Sequence, residues 1–147
     1  MHKHNLAIFT VGRSDFGILK NLIKRSELDK RFNLLLVIGS AHKSKIFGNT
    51  QKEINSLNLK NKIYFKFNYI NSSSTDIKRY FNKTLIESNN LFMKRRIDAS
   101  IILGDRYEML AISLACFNHR IPIMHFCGGS KTLGSLDDKY REYISKM

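Results

Sequence analysis

Short apolar runs recur along this chain, and each one ends in a glycine or a polar turn. The stretches between them place apolar residues three and four positions apart, as Leu19, Leu22 and Ile23 do, which is the spacing of one helix face. Such alternation is typical of strand–helix–strand units with parallel strands and right-handed crossovers. The pattern predicts a single α/β domain, with strands at residues 6–11, 32–38, 63–67, 99–103 and 122–126.

The predicted strands differ in how deeply they should be buried. Apart from Asn33, the run 32–38 is apolar, as in a strand that is covered on both faces of a sheet. In contrast, Ile63, Phe65 and Phe67 alternate with polar residues. We therefore expect this third strand to lie near an edge of the sheet.

The predicted helices follow the turns. The polar loop 71–75 precedes one of them, and Ser74 or Thr75 is expected to cap its first turn. The apolar stripe of this helix is Ile77, Phe81 and Leu85. The other helices are predicted after Gly12 and at 50–57, 109–117 and 136–147.

Four turns at strand ends are the candidate ligand sites. Open parallel sheets bind their ligands just outside the carboxyl ends of the strands. This rule selects residues 12–13, 39–44, 104–106 and 127–130.

The first candidate turn contains Gly12 and Arg13. Backbone N–H groups at a helix start can point at an anion, and glycine permits a close approach. Arg13 can add a bidentate pair of hydrogen bonds to a phosphate. An ordinary turn with a surface arginine explains the residues equally well, because the full dinucleotide-binding fingerprint is missing.

Asp105 stands directly after the fourth predicted strand. A carboxylate there can act as a general base or hold a sugar hydroxyl. The alternative is a helix N-cap, because Asp is a favoured cap and Glu108, three residues later, completes a pattern like a capping box. From these residues alone, the cap is the favoured interpretation.

His125 and Cys127 are two residues apart at the end of the fifth strand, where side chains would face one side. A metal site needs further ligands, so a packed histidine beside a structural cysteine is favoured. Gly128 and Gly129 allow a ligand near the backbone or simply form a tight turn. Asp137 and Asp138 open the last predicted helix, where acids are either favoured by the helix dipole or available for acid catalysis.

The composition narrows the function classes. The 147 residues suit one domain, and 25 basic against 12 acidic residues give a net charge of +13, which favours an anionic partner. A nucleic-acid binder ranks last because the charges form no stripe and no stacking platform accompanies them.

The two cysteines, Cys116 and Cys127, sit in apolar contexts and provide neither a zinc framework nor a disulfide scaffold. The apolar run near the N-terminus is too short for a signal sequence or a membrane span.

Taken in order, several segments resemble the UDP-N-acetylglucosamine 2-epimerases, most closely the hydrolysing kind. The most specific of them is the run Leu103-Gly-Asp-Arg-Tyr-Glu-Met-Leu-Ala111. The other matching segments are residues 9–19, 47–50, His125-x-x-Gly-Gly129 and Gly134-x-Leu-Asp-Asp-x-x-Arg141.

The resemblance implies a two-domain fold of the glycosyltransferase-B type, in which the substrate lies between two Rossmann-like halves. Residues 1–147 would form the N-terminal half, and the absent half would supply most uridine contacts and a catalytic histidine. In the family reaction, a base removes the C2 proton of the sugar while UDP leaves from C1. Water then adds to the glycal, which yields UDP and N-acetylmannosamine or a related 2-acetamido sugar.

Carried over by position, Asp105 and Asp138 would be catalytic carboxylates, and Arg13 would contact the diphosphate. The remaining substrate contacts would come from Gly12, Arg106, Gly128, Gly129 and Ser130. The resemblance implies no cofactor or metal. The expected partners are a UDP-sugar and either a chain that supplies the second half or another copy of this chain. No nucleic acid or membrane partner is expected, and the expected location is the cytoplasm.

Three positions depart from the family pattern. Ser130 replaces the usual glutamate after the two glycines, Cys127 replaces the second histidine of His-x-His-Gly-Gly, and Glu142 replaces the histidine after Arg141. A serine does not take over acid–base work at neutral pH without an activating partner. The alternative hypothesis is therefore a catalytically dead remnant or a sugar-nucleotide binding module.

Overall fold

The computed structural model describes residues 3–43, 50–66, 73–132 and 134–147. Part of the predicted third strand, at Phe67, lies outside these residues. So do residues 47–49 of one family-like segment and residues 71–72 of the predicted polar loop.

All strands of the sheet run parallel, as the alternating pattern predicts. Their order across the sheet is β3-β2-β1-β4-β5. The predicted third strand lies at an edge, and the second is buried along most of its length. The strands are β1 (His4–Thr10), β2 (Phe32–Ile38), β3 (Lys62–Tyr64), β4 (Ala99–Leu103) and β5 (Ile123–Phe126).

Helices connect the strands at the predicted places. The cap of the third helix is Ser73, one residue before the predicted pair, because its extended backbone lets Oγ accept the N–H of Asp76. A short 3-10 turn, Ser40–Lys43, follows β2. The helices are α1 (Arg13–Leu28), α2 (Gln51–Asn55), α3 (Ser74–Lys94), α4 (Tyr107–Asn118) and α5 (Asp137–Lys146).

The sheet separates two apolar layers. Alternate residues of β1 point to opposite faces, so Ile8 packs with Phe16 of α1 while Phe9 packs with Phe92 of α3. Helices α1 and α2 cover one face, and α3, α4 and α5 cover the other. Within the described ranges, no helix combines the length and apolar character needed to cross a bilayer.

The strand order positions the candidate site. The chain moves outward from β1 to β3 on one side and then returns to place β4 on the other side of β1. The segments that leave β1 and β4 therefore diverge at their carboxyl ends. A crevice at such a switch point is the usual ligand site of an open α/β sheet.

Candidate functional site

The crevice between the ends of β1 and β4 opens into a cavity of about 880 Å³. Gly12 and Arg106 meet there, since a Cβ built on Gly12 would lie 3.9 Å from Nη1 of Arg106. The cavity is lined by Gly12, Arg13, Ser14, Gly17, Ile18, Ala41, Ile77, Arg106, Tyr107 and Asp137.

The side chain of Asp15 holds the turn after β1 through hydrogen bonds, a role that sequence reasoning missed. Its carboxylate accepts the N–H of Val11 at 2.6 Å and the N–H of Gly12 at 2.9 Å. Burial raises the pKa of Asp15, while the two N–H donors and the charge of Arg106 act in the opposite direction. The N–H of Gly12 is therefore not open to an anion.

The next two N–H groups of the same turn are open. Arg13 and Ser14 occupy the first positions of α1, and their N–H groups have no acceptor among the described residues. Helix starts of this kind carry a partial positive charge. Of the backbone N–H groups in the predicted turn, those of Arg13 and Ser14 are therefore available to an anion and that of Gly12 is not.

Asp105 does not cap α4, so the favoured interpretation of this residue was wrong. The cap position belongs to Arg106, whose guanidinium pairs with the buried Glu108 at 2.7 Å. Asp105 is thereby left in the loop after β4, where Nη2 of Arg141 donates to its carboxylate. Asp105 therefore binds Arg141, which is distant in sequence, and not the nearby N–H groups of α4 that the capping pattern predicted.

Asp138 lies in the first turn of α5, where the sequence placed it. Its two carboxylate oxygens accept the N–H of Thr132 at 2.9 and 2.7 Å. Nη1 of Arg141 donates to the same carboxylate at 2.5 Å and to the carbonyl of Ser130 at 2.6 Å. The loop before α5 is therefore tied to the helix through this carboxylate and this guanidinium.

Arg141 joins the two predicted catalytic carboxylates, and the sequence reasoning gave it no role. The residue is only 8% exposed, and its Nε has no partner within the described residues. Its three-residue spacing from Asp138 was the available signal, because such pairs are neighbours on a helix. Nothing local in the sequence links Arg141 to Asp105.

A second cavity, of about 870 Å³, lies on the other side of the start of α5. Asp137 lines the first cavity and Asp138 the second, so the two are neighbours at this helix start. The second cavity is lined by the predicted substrate residues Gly128, Gly129 and Ser130, and by Asp138, Arg141 and several lysines. All the predicted site residues thus lie along the carboxyl edge of the sheet.

His125 is a packed residue, but Cys127 is not its structural companion. Nε2 of His125 lies 2.7 Å from the Gly104 carbonyl, which only accepts, so Nε2 donates, and Nδ1 lies 2.8 Å from Ser145 Oγ. Cys127 follows the end of β5 with a φ of 61° and is exposed. Across the described residues, no three His, Cys, Asp or Glu side chains gather as metal ligands would.

The sequence profile described as UDP-N-acetylglucosamine 2-epimerase matches residues 24–147. The chain belongs to this family. It is 36% identical to the GDP/UDP-N,N'-diacetylbacillosamine 2-epimerase (hydrolyzing) of Campylobacter jejuni, over all of this chain and 38% of that protein. It is 30% identical to the polysialic acid biosynthesis protein P7 of Escherichia coli, over 94% of this chain and 35% of that one.

The fold of this epimerase-family chain is also found in solved structures. The UDP-GlcNAc 2-epimerase of Neisseria meningitidis, solved with bound UDP-GlcNAc, superposes with a TM-score of 0.80 at 16% identity. The match covers 97% of this chain and 38% of that one. The expected Rossmann-like architecture of a glycosyltransferase-B type fold is confirmed, and the chain spans the N-terminal 38% or so of the relatives it matches.

Proposed function

We propose that this chain forms the N-terminal half of the catalytic cleft of a hydrolysing UDP-N-acetylglucosamine 2-epimerase. The reaction would release UDP and a 2-epimerised 2-acetamido sugar such as N-acetylmannosamine. The observation that carries the proposal is the pairing of Asp105 and Asp138 on Arg141 at the carboxyl edge of the sheet. The family assignment and the similarity to hydrolysing 2-epimerases support it.

The diphosphate is assigned to the cavity at the start of α1. Arg13, Ser14 and Arg106 line this cavity, and the N–H groups of Arg13 and Ser14 have no acceptor among the described residues. As the bond from C1 to UDP breaks, negative charge develops on the diphosphate. Fixed donors and cations aimed at that charge lower the barrier because they need not reorganise.

The sugar ring is assigned to the neighbouring carboxylates. The C2 proton is poorly acidic, so its removal requires a base in fixed geometry. Arg141 fixes Asp105 and Asp138 relative to each other although they come from different elements. In this proposal, Gly128, Gly129 and Ser130 bind the substrate in the second cavity, which Asp138 also lines.

A sugar-nucleotide binding module without catalysis is the second candidate. It is favoured by Ser130, which is exposed, and whose carbonyl rather than side chain is held by Arg141. The family pattern has a glutamate at this position. If that carboxylate is required, the cleft binds its ligand but does not turn it over.

The test is a chimera in which residues 1–147 replace the matching part of the Campylobacter jejuni relative. UDP release from UDP-N-acetylglucosamine and from UDP-N,N'-diacetylbacillosamine is measured. We expect Asp105→Asn to lower kcat by about 100-fold or more, the usual contribution of a general acid or base. Asp29→Asn is the matched control, because Asp29 lies at the opposite edge in an exposed pair with Arg31.

The outcomes separate the two candidates. UDP release that Asp105→Asn abolishes and Asp29→Asn preserves supports the epimerase. A folded chimera that binds UDP without releasing it from either sugar supports the binding module, and Ser130→Glu should then introduce turnover. A folded chimera that neither binds UDP nor releases it contradicts both.

A further inference from the structure

A row of buried polar side chains runs beneath the turn after β1. Thr50 Oγ1 lies 2.6 Å from Nδ1 of His42, and Nε2 of His42 lies 2.9 Å from Thr10 Oγ1. Thr10 Oγ1 in turn donates to Asp15 at 3.3 Å. The four residues are 5%, 1%, 0% and 3% exposed, in the order Thr50, His42, Thr10, Asp15. We call this row the Thr50–Asp15 relay.

The hydrogen bonds of the relay can be directed from its Asp15 end. An ionised carboxylate only accepts, so the Thr10 hydroxyl donates to Asp15 and its oxygen accepts from Nε2–H of His42. Nδ1 of His42 then carries no hydrogen and accepts from the Thr50 hydroxyl. Every bond points from Thr50 towards Asp15.

The surroundings of His42 favour the neutral imidazole that this direction requires. The ring packs edge to face against Phe16, with centroids 6.0 Å apart. Burial lowers the pKa of His42 to about 4, helped by the charge of Arg106 and opposed by a hydrogen bond to the backbone of Thr10. At neutral pH the ring therefore has one donor and one acceptor nitrogen, and each has a partner.

We propose that His42 is a positioning residue: through Thr10 it fixes the Asp15 carboxylate, which holds the Val11 and Gly12 N–H groups and leaves those of Arg13 and Ser14 open. Thr50 anchors the row. It is the last residue of the family-like segment 47–50, to which the proposed function assigns no role. The hydrogen bonds of the relay lie entirely within this chain. Its consequence for diphosphate binding rests on the proposed function.

The direct test is NMR of the intact chain near neutral pH. The ¹⁵N shifts of His42 should report a neutral ring with hydrogen on Nε2. A ring with hydrogen on Nδ1, or a charged ring, overturns the proposal. This measurement needs no variant and no ligand.

The second test asks whether Thr50 acts on a distant turn. Amide hydrogen exchange at Val11 and Gly12 should accelerate by about threefold or more in Thr50→Val, as expected when one hydrogen bond of a row is lost. Thr50→Ser keeps the hydroxyl and should exchange within about twofold of the original chain at these amides. Ile112, in the core of α4, is the reference amide that reports any global loss of stability. Unchanged exchange at Val11 and Gly12 in Thr50→Val overturns the proposal.

Titration with UDP separates this inference from the proposed function. Thr50→Val should weaken UDP binding by about threefold relative to Thr50→Ser, because the first turn of α1 is less ordered. Equal affinities of the two variants contradict the positioning role in binding. If the chimera that carries residues 1–147 binds no UDP while the tautomer and exchange results are as expected, the relay stands and the diphosphate assignment fails.

Discussion

Gly128 and Gly129 are adjacent residues with opposite constraints. A Cβ on Gly128 would lie 2.6 Å from Ser145 Oγ and 2.7 Å from Nδ1 of His125, whereas a Cβ on Gly129 would meet nothing within 4 Å. His125 has little freedom to move away, because its Nε2 is bonded to the Gly104 carbonyl. The first glycine is therefore required by packing, and the second leaves open space beside the second cavity.

We expect Gly128→Ala to lower the free energy of unfolding by about 1–3 kcal/mol, the usual cost of forcing an extra carbon into a packed site. Gly129→Ala should change it by less than about 0.5 kcal/mol. Urea unfolding of the two variants measures the difference. Adding Ser145→Ala to Gly128→Ala should recover part of the loss, and equal stability of the two glycine variants would refute this account.

At the scale of elements, the residues that follow β1 and β2 are in close contact. The N–H of Gly39 donates to the Thr10 carbonyl at 2.7 Å, and a Cβ on Gly39 would lie 2.7 Å from the backbone Cα of Val11. A backbone atom cannot rotate aside as a side chain can. This close approach sets the spacing of the strand ends on which the turn after β1 rests.

Gly39→Ala should therefore cost about 2 kcal/mol or more, because the strand ends must separate. Gly17→Ala is the matched control. A Cβ at Gly17 would meet nothing within 4 Å, and alanine is favoured over glycine inside a helix by about 0.5–1 kcal/mol. Thermal unfolding should thus show opposite shifts for the two variants; shifts of the same sign would contradict the role assigned to Gly39.

For the whole molecule, the excess of positive charge reaches the carboxyl edge of the sheet. The net charge is +13, and Lys131, Lys139, Arg141 and Lys146 outnumber the carboxylates of Asp138 and Glu142 in the lining of the second cavity. A field of one sign around a cleft raises the local concentration of anions. The composition attributes most of the charge to solvated helix faces and a smaller share to attracting an anion, and the lining of the second cavity keeps a net positive charge.

The buried His42 makes the stability of the whole chain depend on pH. Its pKa is lowered to about 4 in the folded chain, so between that value and its usual pKa of about 6.5 the unfolded chain binds more protons. Stability is consequently lost as the pH falls through this window. We expect a loss of about 2 kcal/mol between about pH 7 and pH 5 from this residue.

The measurement is urea unfolding at both pH values for the original chain and for His42→Gln. Burial raises the pKa of Asp15, which acts in the opposite sense, so the difference between the two proteins isolates His42. Most of the pH dependence in this window should vanish in His42→Gln. The same slope in both proteins would show that His42 is not buried in its neutral form.

Sequence patterns predicted some elements to the residue and others only in outline. The bounds of β2 and β4 agree with the predicted runs, because each run follows a charged residue and stops at a glycine. The cap of α3 was misplaced by one residue, since three consecutive serines offer equivalent side chains and only the backbone angles select Ser73. Local sequence patterns predicted the positions of the strands and helices well, but they did not identify which of several adjacent serines caps a helix.

The sequence by itself determined the alternating strands and helices, the parallel sheet, the placement of polar turns at strand ends and the resemblance to the epimerase family. Only the tertiary structure decided that Asp105 pairs with Arg141 and that His42 joins Thr10 to Thr50. The reason is the range of the interactions. Periodicity and capping rules act over a few residues, whereas these partners meet only because the strand order brings distant turns to one edge.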